Sequence, residues 1–243
     1  MPNLIKSTQL NIIKLKTLCV SVPLREIKTM LIDIFHDTVC PWCRIGKKHL
    51  FDALAQWNKE AVNIRWHPFL LDNTVPTSGY EFRSFMQERK GIKEEQLQHL
   101  FNYTRRAGEA AGVKLNFDEI RLAVNTTLSH QLINLAPTNI KNNVVEAIYQ
   151  AYFEDGLNLG DIDVIVAIGA AHQMDSTELK LQLSGNVALD AVVAESAFAR
   201  LNGITSVPFF IINNKIKVDG SYSVEVFLEA LNRAALIEIS AKI

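Results

Sequence analysis

The sequence predicts an α/β fold ordered β-α-β, a block of helices, then β-β-α. Three observations carry this. Two strand-like segments, residues 31–36 and 62–67, flank a helical pattern over 45–57. From about residue 81 to 202 the pattern changes to helices. After Gly203 the chain returns to short apolar runs on either side of Asn213-Asn214, a hairpin signal, and closes on an amphipathic stretch.

The elements follow in order. Residues 31–36 are rich in apolar side chains and read as a buried strand. In residues 45–57, Ile45, Leu50, Ala53, Leu54 and Trp57 make one helical face. Val62, Ile64 and Trp66 alternate with polar neighbours, which is a strand pattern and favours a parallel pair with the first. A loop rich in Asn, Thr, Pro and Gly covers 72–79. Helices are expected over 81–89, 94–111, 117–135 (as one or two), 142–153, 161–172 with Asp161 as cap, and 189–201 before the stop Asn202-Gly203. Strands at 209–212 and 216–218 and a helix over 224–235 complete the chain.

Composition sets the class. At 243 residues, 48% hydrophobic and 21% charged, the chain has the make-up of a globular protein with a real core. A net charge of −1 gives no pull toward nucleic acid or an anionic membrane. No apolar stretch approaches the roughly 18–20 residues that span a bilayer. Three cysteines cannot form a disulfide framework. Residues 1–29, which include Cys19, read as a poorly ordered extension or a start placed upstream of Met30. Lys14 and Lys16 interrupt the apolar run that an export signal of about 7–15 apolar residues would need. The cytoplasm is therefore the expected compartment.

The chemistry concentrates in Cys40-Pro41-Trp42-Cys43, at the junction of the first strand and the first helix. The helix start carries partial positive charge and favours the anionic form of the Cys40 sulfur, the form that attacks. Cys43 lies one turn on, on the same face, where it can resolve a mixed disulfide. Pro41 suits the first turn because its missing N–H has no helical partner there. Trp42 offers a broad apolar surface beside the sulfurs. Half a zinc site is the competing reading, but zinc usually needs four ligands, and only Cys19, His36 and His49 lie near in sequence; His49 is not at a usual finger spacing. No metal is expected. Val207-Pro208 opens the third strand, where a proline lacking a ladder donor belongs, and such a bond can be cis at modest cost.

Other polar residues carry weaker signals. His36 ends the first strand, either as a satisfied strand-end histidine or as a group tuning Cys40. His130 falls among Leu128, Leu132 and Leu135 and is expected to pack or cap. Tyr149, Tyr152 and Phe153 have core spacing; Lys47-Lys48 and Arg105-Arg106 read as solvated helix charges.

These residues resemble the DsbA family of thioredoxin-fold oxidoreductases, in particular its FrnE-like branch, which is grouped with 2-hydroxychromene-2-carboxylate isomerases. The likeness rests on Cys40-Pro41-Trp42-Cys43 with Ile45-Gly46-Lys47, on His67-Pro68-Phe69-Leu70-Leu71, on Asn125-Thr126, Ser129-His130 and the stretch to Ala136, on Ala151-Tyr152-Phe153, and on Gly203 through Phe210. It implies a thioredoxin-like domain from residues 30–75 and 186–243, interrupted by a helical insertion domain at 76–185. It also implies that Pro208 is cis and faces the cysteines, with the backbone of Val207 pairing an extended substrate. The expected activity is thiol–disulfide exchange on protein or small-thiol substrates, with no cofactor beyond the cysteine pair and glutathione as a conceivable co-substrate. The alternative is a glutathione-dependent isomerase or transferase, although such enzymes typically carry serine where Cys40 stands; a binding module with incidental thiols is the third reading. One departure stands out. The acid often found six residues before the first cysteine is replaced by Ile34, and Asp33 points to the other face. Water, Asp37 or a residue of the helical block is left as proton acceptor.

Overall fold

The computed structural model describes residues 29–240. The expected N-terminal extension, with Cys19, lies outside the described residues. A four-stranded sheet has the order β2-β1-β5-β6. Strand β1 (Thr29–His36) is central and runs parallel to β2 (Ala61–Pro68), with Ile34 opposite Trp66. Strands β5 (Phe209–Ile212) and β6 (Ile216–Asp219) extend the sheet antiparallel, with Ile34 opposite Phe210. Asn213 and Asn214 form the hairpin turn at φ +48° and +55°, a conformation asparagine tolerates better than most residues. Asn213 also accepts a hydrogen bond from the Leu31 N–H, tying the turn back to β1.

Alternation along β1 sends side chains to two layers. Met30, Ile32 and Ile34 face helices α1 (Pro41–Gln56) and α9 (Val224–Ser240), with Phe210 and Phe227 packed edge to face at 4.8 Å. On the opposite face, Phe35 and Phe209 join Phe69, Ala199 and Ile204 beneath α8 (Asn186–Leu201). With β-α-β and β-β-α halves around one sheet, this is the thioredoxin fold.

Between β2 and β5 the chain is mainly helical. Glu81 accepts from the Arg83 and Ser84 N–H groups to start a short helix, α2 (Phe82–Ser84), which widens into a π-helical turn (Phe85–Arg89). Helices α3 (Glu94–Ala110), α4 (Thr127–Leu135), α5 (Thr138–Phe153), α6 (Ile162–Ala171) and α7 (Ser176–Ser184) follow. Gly112 ends α3 at φ +69°, and Asp161 caps α6 through the Asp163 N–H. Among the described residues, no helix is long and apolar enough to cross a membrane.

The segment 117–135 differs from its sequence reading. Its first part is a turn followed by a short strand, β4 (Leu122–Ala123), paired antiparallel with β3 (Tyr80–Glu81). Only 127–135 is helical. Tertiary bonds account for this: the Asn116 N–H donates to the Phe153 carbonyl, the Phe82 N–H to that of Arg121, and the Tyr152 hydroxyl to that of Leu122. Phe117, Ile120 and Val124, which mimic helical spacing, instead enter the core one by one.

Candidate functional site

The site forms where β1 hands the chain to α1. After His36 the loop Asp37-Thr38-Val39 turns, and the Cys40 N–H donates to the Asp37 carbonyl at 3.1 Å. Cys40 is the N-cap of α1 in extended geometry, without a side-chain cap, and Pro41 takes the first helical position. The Cys43 N–H returns to the Cys40 carbonyl at 3.0 Å. Both cysteines are free thiols; Cys40 is 6% exposed and Cys43 1%. Burial pushes the Cys43 thiol well above its ordinary value, and its hydrogen bond to Cys40 adds to this. The two sulfurs are therefore unequal: Cys43 holds its proton, while Cys40 lies at the wall of a cavity.

Val207 and Pro208 meet this pair from β5. The Val207–Pro208 peptide is cis. The Cys40 thiol donates to the Val207 carbonyl, with sulfur and oxygen 3.8 Å apart. The close approach of α1 depends on Gly46, where a Cβ would come 3.0 Å from the Pro208 ring and 3.2 Å from Phe210. The sequence residues Cys40, Pro41, Trp42, Cys43, Val207 and Pro208 thus meet in one place. Trp42 is half-buried, packs on Tyr103 at 5.7 Å and reaches the cavity.

The cavity was not legible in the sequence. Its volume is about 440 Å³, with Cys40, Pro41 and Trp42 on one wall and Phe85, Phe101, Phe117 and Phe153 from the helical block on another. That is the size of a small-molecule site. The aromatic spacing in 82–153 signalled core; which aromatics would leave a gap beside the sulfurs follows only from how the helices pack.

A buried polar cluster lies on the same side of the sheet. His36 pairs through Nδ1 with the Tyr149 hydroxyl at 2.8 Å, and Thr38 with the Ser129 hydroxyl at 2.8 Å. Burial, and then the neighbouring charge of His130, lowers the His36 pKa well below its ordinary value, so His36 is neutral. Tyr149 is likewise held as a phenol by burial and by the two cysteines. Tyr149, Tyr152 and Phe153 are core residues, and two of them also line the cavity. Asp33 lies on the opposite face, held by Arg65 and His67.

Lys47 corrects its sequence reading. It is 8% exposed, and its ammonium donates to Glu146 at 2.6 Å. Arg44, one turn earlier than Lys48, is also buried and bonds Glu146, Glu154 and the Lys114 carbonyl. These bonds clamp α1 to α5. Lys48 is the half-exposed one, paired with Asp52.

The sheet order and the Cys-Pro-Trp-Cys junction facing Val207-Pro208 define a thioredoxin-fold oxidoreductase. The chain belongs to the family of the DSBA-like thioredoxin domain, whose model matches residues 31–232. Among solved structures it resembles a probable DsbA oxidoreductase from Streptomyces coelicolor, at 26% identity and a TM-score of 0.76, covering 84% of this chain and 89% of that one. It is 24% identical over 208 residues to the uncharacterised protein YwbO of Bacillus subtilis, covering 84% of this chain and 96% of YwbO. The cytosolic disulfide reductase DsbM from Pseudomonas aeruginosa, solved with GSH, shares the fold at 14% identity and a TM-score of 0.57, covering 88% of this chain and 100% of that one.

Proposed function

We propose that the protein exchanges disulfides with small or protein substrates through Cys40 and Cys43. The observation that carries this reading is the setting of Cys40: N-cap of α1, one turn from the buried Cys43, beside the Val207 carbonyl and at the wall of an apolar cavity. The Cys40 thiolate attacks a substrate disulfide, forming a mixed disulfide and releasing one substrate thiolate. Cys43, deprotonated, then attacks Cys40; the Cys40–Cys43 bond forms and the second substrate thiolate leaves. The substrate disulfide is reduced and the dithiol oxidised, and the reverse sequence oxidises a substrate dithiol.

Pro41, Trp42, Val207 and Pro208 orient the substrate, with the cavity receiving a compact apolar group next to the reacting sulfur. The parts divide accordingly: residues 30–75 carry the sulfurs, 186–243 bring Val207 and Pro208 to them, and 76–185 supply the far cavity wall. No cofactor is required beyond the cysteine pair, and glutathione serves as a co-substrate. We propose the cytoplasm as the compartment, where the pair rests as a dithiol.

The cavity also favours the second reading, a glutathione-dependent isomerase acting on a small apolar substrate. One set of measurements separates the two. Insulin reduction and the equilibrium of Cys40–Cys43 with glutathione are measured for the wild type, Cys40→Ser and Cys43→Ser. The redox reading expects activity lost in Cys40→Ser and a trapped mixed disulfide in Cys43→Ser. Full activity in Cys40→Ser, or chromene turnover with glutathione and no dithiol cycling, overturns it.

A further inference from the structure

Cys43 is 1% exposed and loses its proton directly to solvent only slowly, so fast resolution needs an acceptor inside the protein. The strand position six residues before Cys40 offers only Ile34. Asp33 faces the other layer and is already bound by Arg65 and His67. On the sulfur side the buried carboxylate is Asp37, three residues before Cys40.

Half of the Asp37 carboxylate is engaged: Oδ2 accepts from the Leu71 N–H at 2.7 Å. The other half is not. Oδ1 has no hydrogen-bond partner among the described residues, and neither does His130 Nε2, which faces it at 3.5 Å. Both residues are 1% exposed. Leaving such atoms without a hydrogen bond is costly, so a native chain that keeps two of them face to face needs a reason for it. The backbone of Asp37 hydrogen-bonds the Cys43 sulfur and accepts from the Cys40 N–H, which fixes the residue against both cysteines. His130 is itself fixed: its helix begins where the Ser129 hydroxyl bonds Thr38 and the Thr126 carbonyl.

We propose that Asp37 is the proton acceptor for Cys43, and that His130 is the positioning residue that keeps Oδ1 oriented and uncommitted until the proton arrives. The proposal rests on the thiol–disulfide reading. In the resolving step the Cys43 S–H bond breaks and its proton passes to Asp37. The Cys43 electron pair forms the bond to Cys40, the bond between Cys40 and the substrate sulfur breaks, and the substrate leaves as a thiolate. When a dithiol substrate later reduces the pair, the Cys40–Cys43 bond breaks, the substrate sulfur bonds Cys40, and the departing Cys43 thiolate takes the proton back from Asp37.

The other titratable groups facing the pair do not compete as acceptors. From α1 these are Cys40, Cys43 and Lys47, and Lys47 is committed to Glu146. From β1 it is His36, neutral and resisting protonation by burial. From α5 they are Tyr149 and Tyr152, both held protonated by burial and feeling the charge of Asp37, with Glu146 behind them.

The test uses dithiobis(nitrobenzoate), which releases one coloured thiolate when Cys40 attacks and a second when Cys43 resolves. Stopped-flow absorbance gives both rates on the full chain. For Asp37→Asn the second release is expected to slow on the order of 100-fold at mildly acidic pH, far more than the first. The gap narrows as pH rises, because hydroxide replaces the lost acceptor. Asparagine keeps an acceptor for Leu71, so folding survives; if it does not, His130→Gln decides alone, with a smaller loss of the same pH shape. Asp33→Asn removes the buried carboxylate of the opposite face and leaves the pH profile of both phases unchanged. A second phase that falls no more than the first, or a gap constant with pH, overturns the role of Asp37. A wild type that releases no second equivalent overturns the redox reading itself, and the Asp37 role with it.

Discussion

Replacing Glu146 by glutamine tests how α1 is held. One carboxylate receives Arg44 Nη2 at 2.8 Å, Arg44 Nε at 3.2 Å and Lys47 Nζ at 2.6 Å. In Glu146→Gln the amide oxygen can still accept one of these bonds, and Arg44 keeps Glu154 and the Lys114 carbonyl. What is lost is the charge on the acceptor and the partner of a nearly buried ammonium. A hydrogen bond to a charged group contributes about 1.5–3 kcal/mol against about 1 for a neutral one, so two or three degraded bonds suggest about 3–4 kcal/mol. Glu146 is 34% exposed, and solvent screening brings this to about 2 kcal/mol. For a chain of this size that lowers Tm by about 4–8 °C at neutral pH.

The pH dependence fixes the cause. Burial tends to raise the Glu146 pKa, but the charge of Lys47 and the bonds from Lys47 and Arg44 outweigh it and hold the group below its ordinary value of 4.5. A depressed carboxylate contributes stability above its unfolded value, and that contribution is lost as pH falls through the folded value. Thermal melts followed by circular dichroism should therefore differ at neutral pH and converge in acid, as pH falls through the depressed folded value. A Tm change below about 2 °C, or a gap that persists in acid, refutes the clamp.

Further expectations concern the two faces of the sheet. His67 sits 2.7 Å from Asp33 and 3.7 Å from Glu195 of α8. Burial opposes its charge, but the two carboxylates raise its pKa above 6.5 overall. Its contribution to stability, of order 1 kcal/mol, is full below that value and fades as pH rises through the folded value; His67→Gln should abolish this slope, and an unchanged slope removes His67 as its source. Gly46→Ala gains about 1 kcal/mol of helix propensity but meets Pro208 at 3.0 Å, for which overpacking costs about 1–3 kcal/mol. The collision should win: insulin reduction falls several-fold with a small loss of stability, whereas a more stable and fully active variant shows that α1 has room.

The element order was legible because period-2 and period-3.6 patterns are local. The β-α-β start, the Asn213-Asn214 hairpin and the Asp161 cap all stand where residue pattern and turn chemistry put them. Helix α7 was missed, although Asp175 accepts from the Glu178 N–H in a cap that three residues of sequence encode. The segment 117–135 misled because Phe117, Ile120 and Val124 have helical spacing, while bonds to residues far along the chain hold the backbone in a turn and a strand.

For the site, the sequence by itself determined the reactive pair and its junction: two sulfurs one turn apart behind a helix start need only local geometry. It also determined that Val207-Pro208 opens a strand. Only the tertiary structure decided that Cys43 is sealed while Cys40 lines a cavity, that Lys47 is buried in an ion cluster, and that Asp37 and His130, 93 positions apart by their numbering, face each other at 3.5 Å without a hydrogen bond. The reason is physical: burial, cavities and ion pairing depend on which helix of the block covers which strand, and that choice is made by contacts between residues that no local pattern relates.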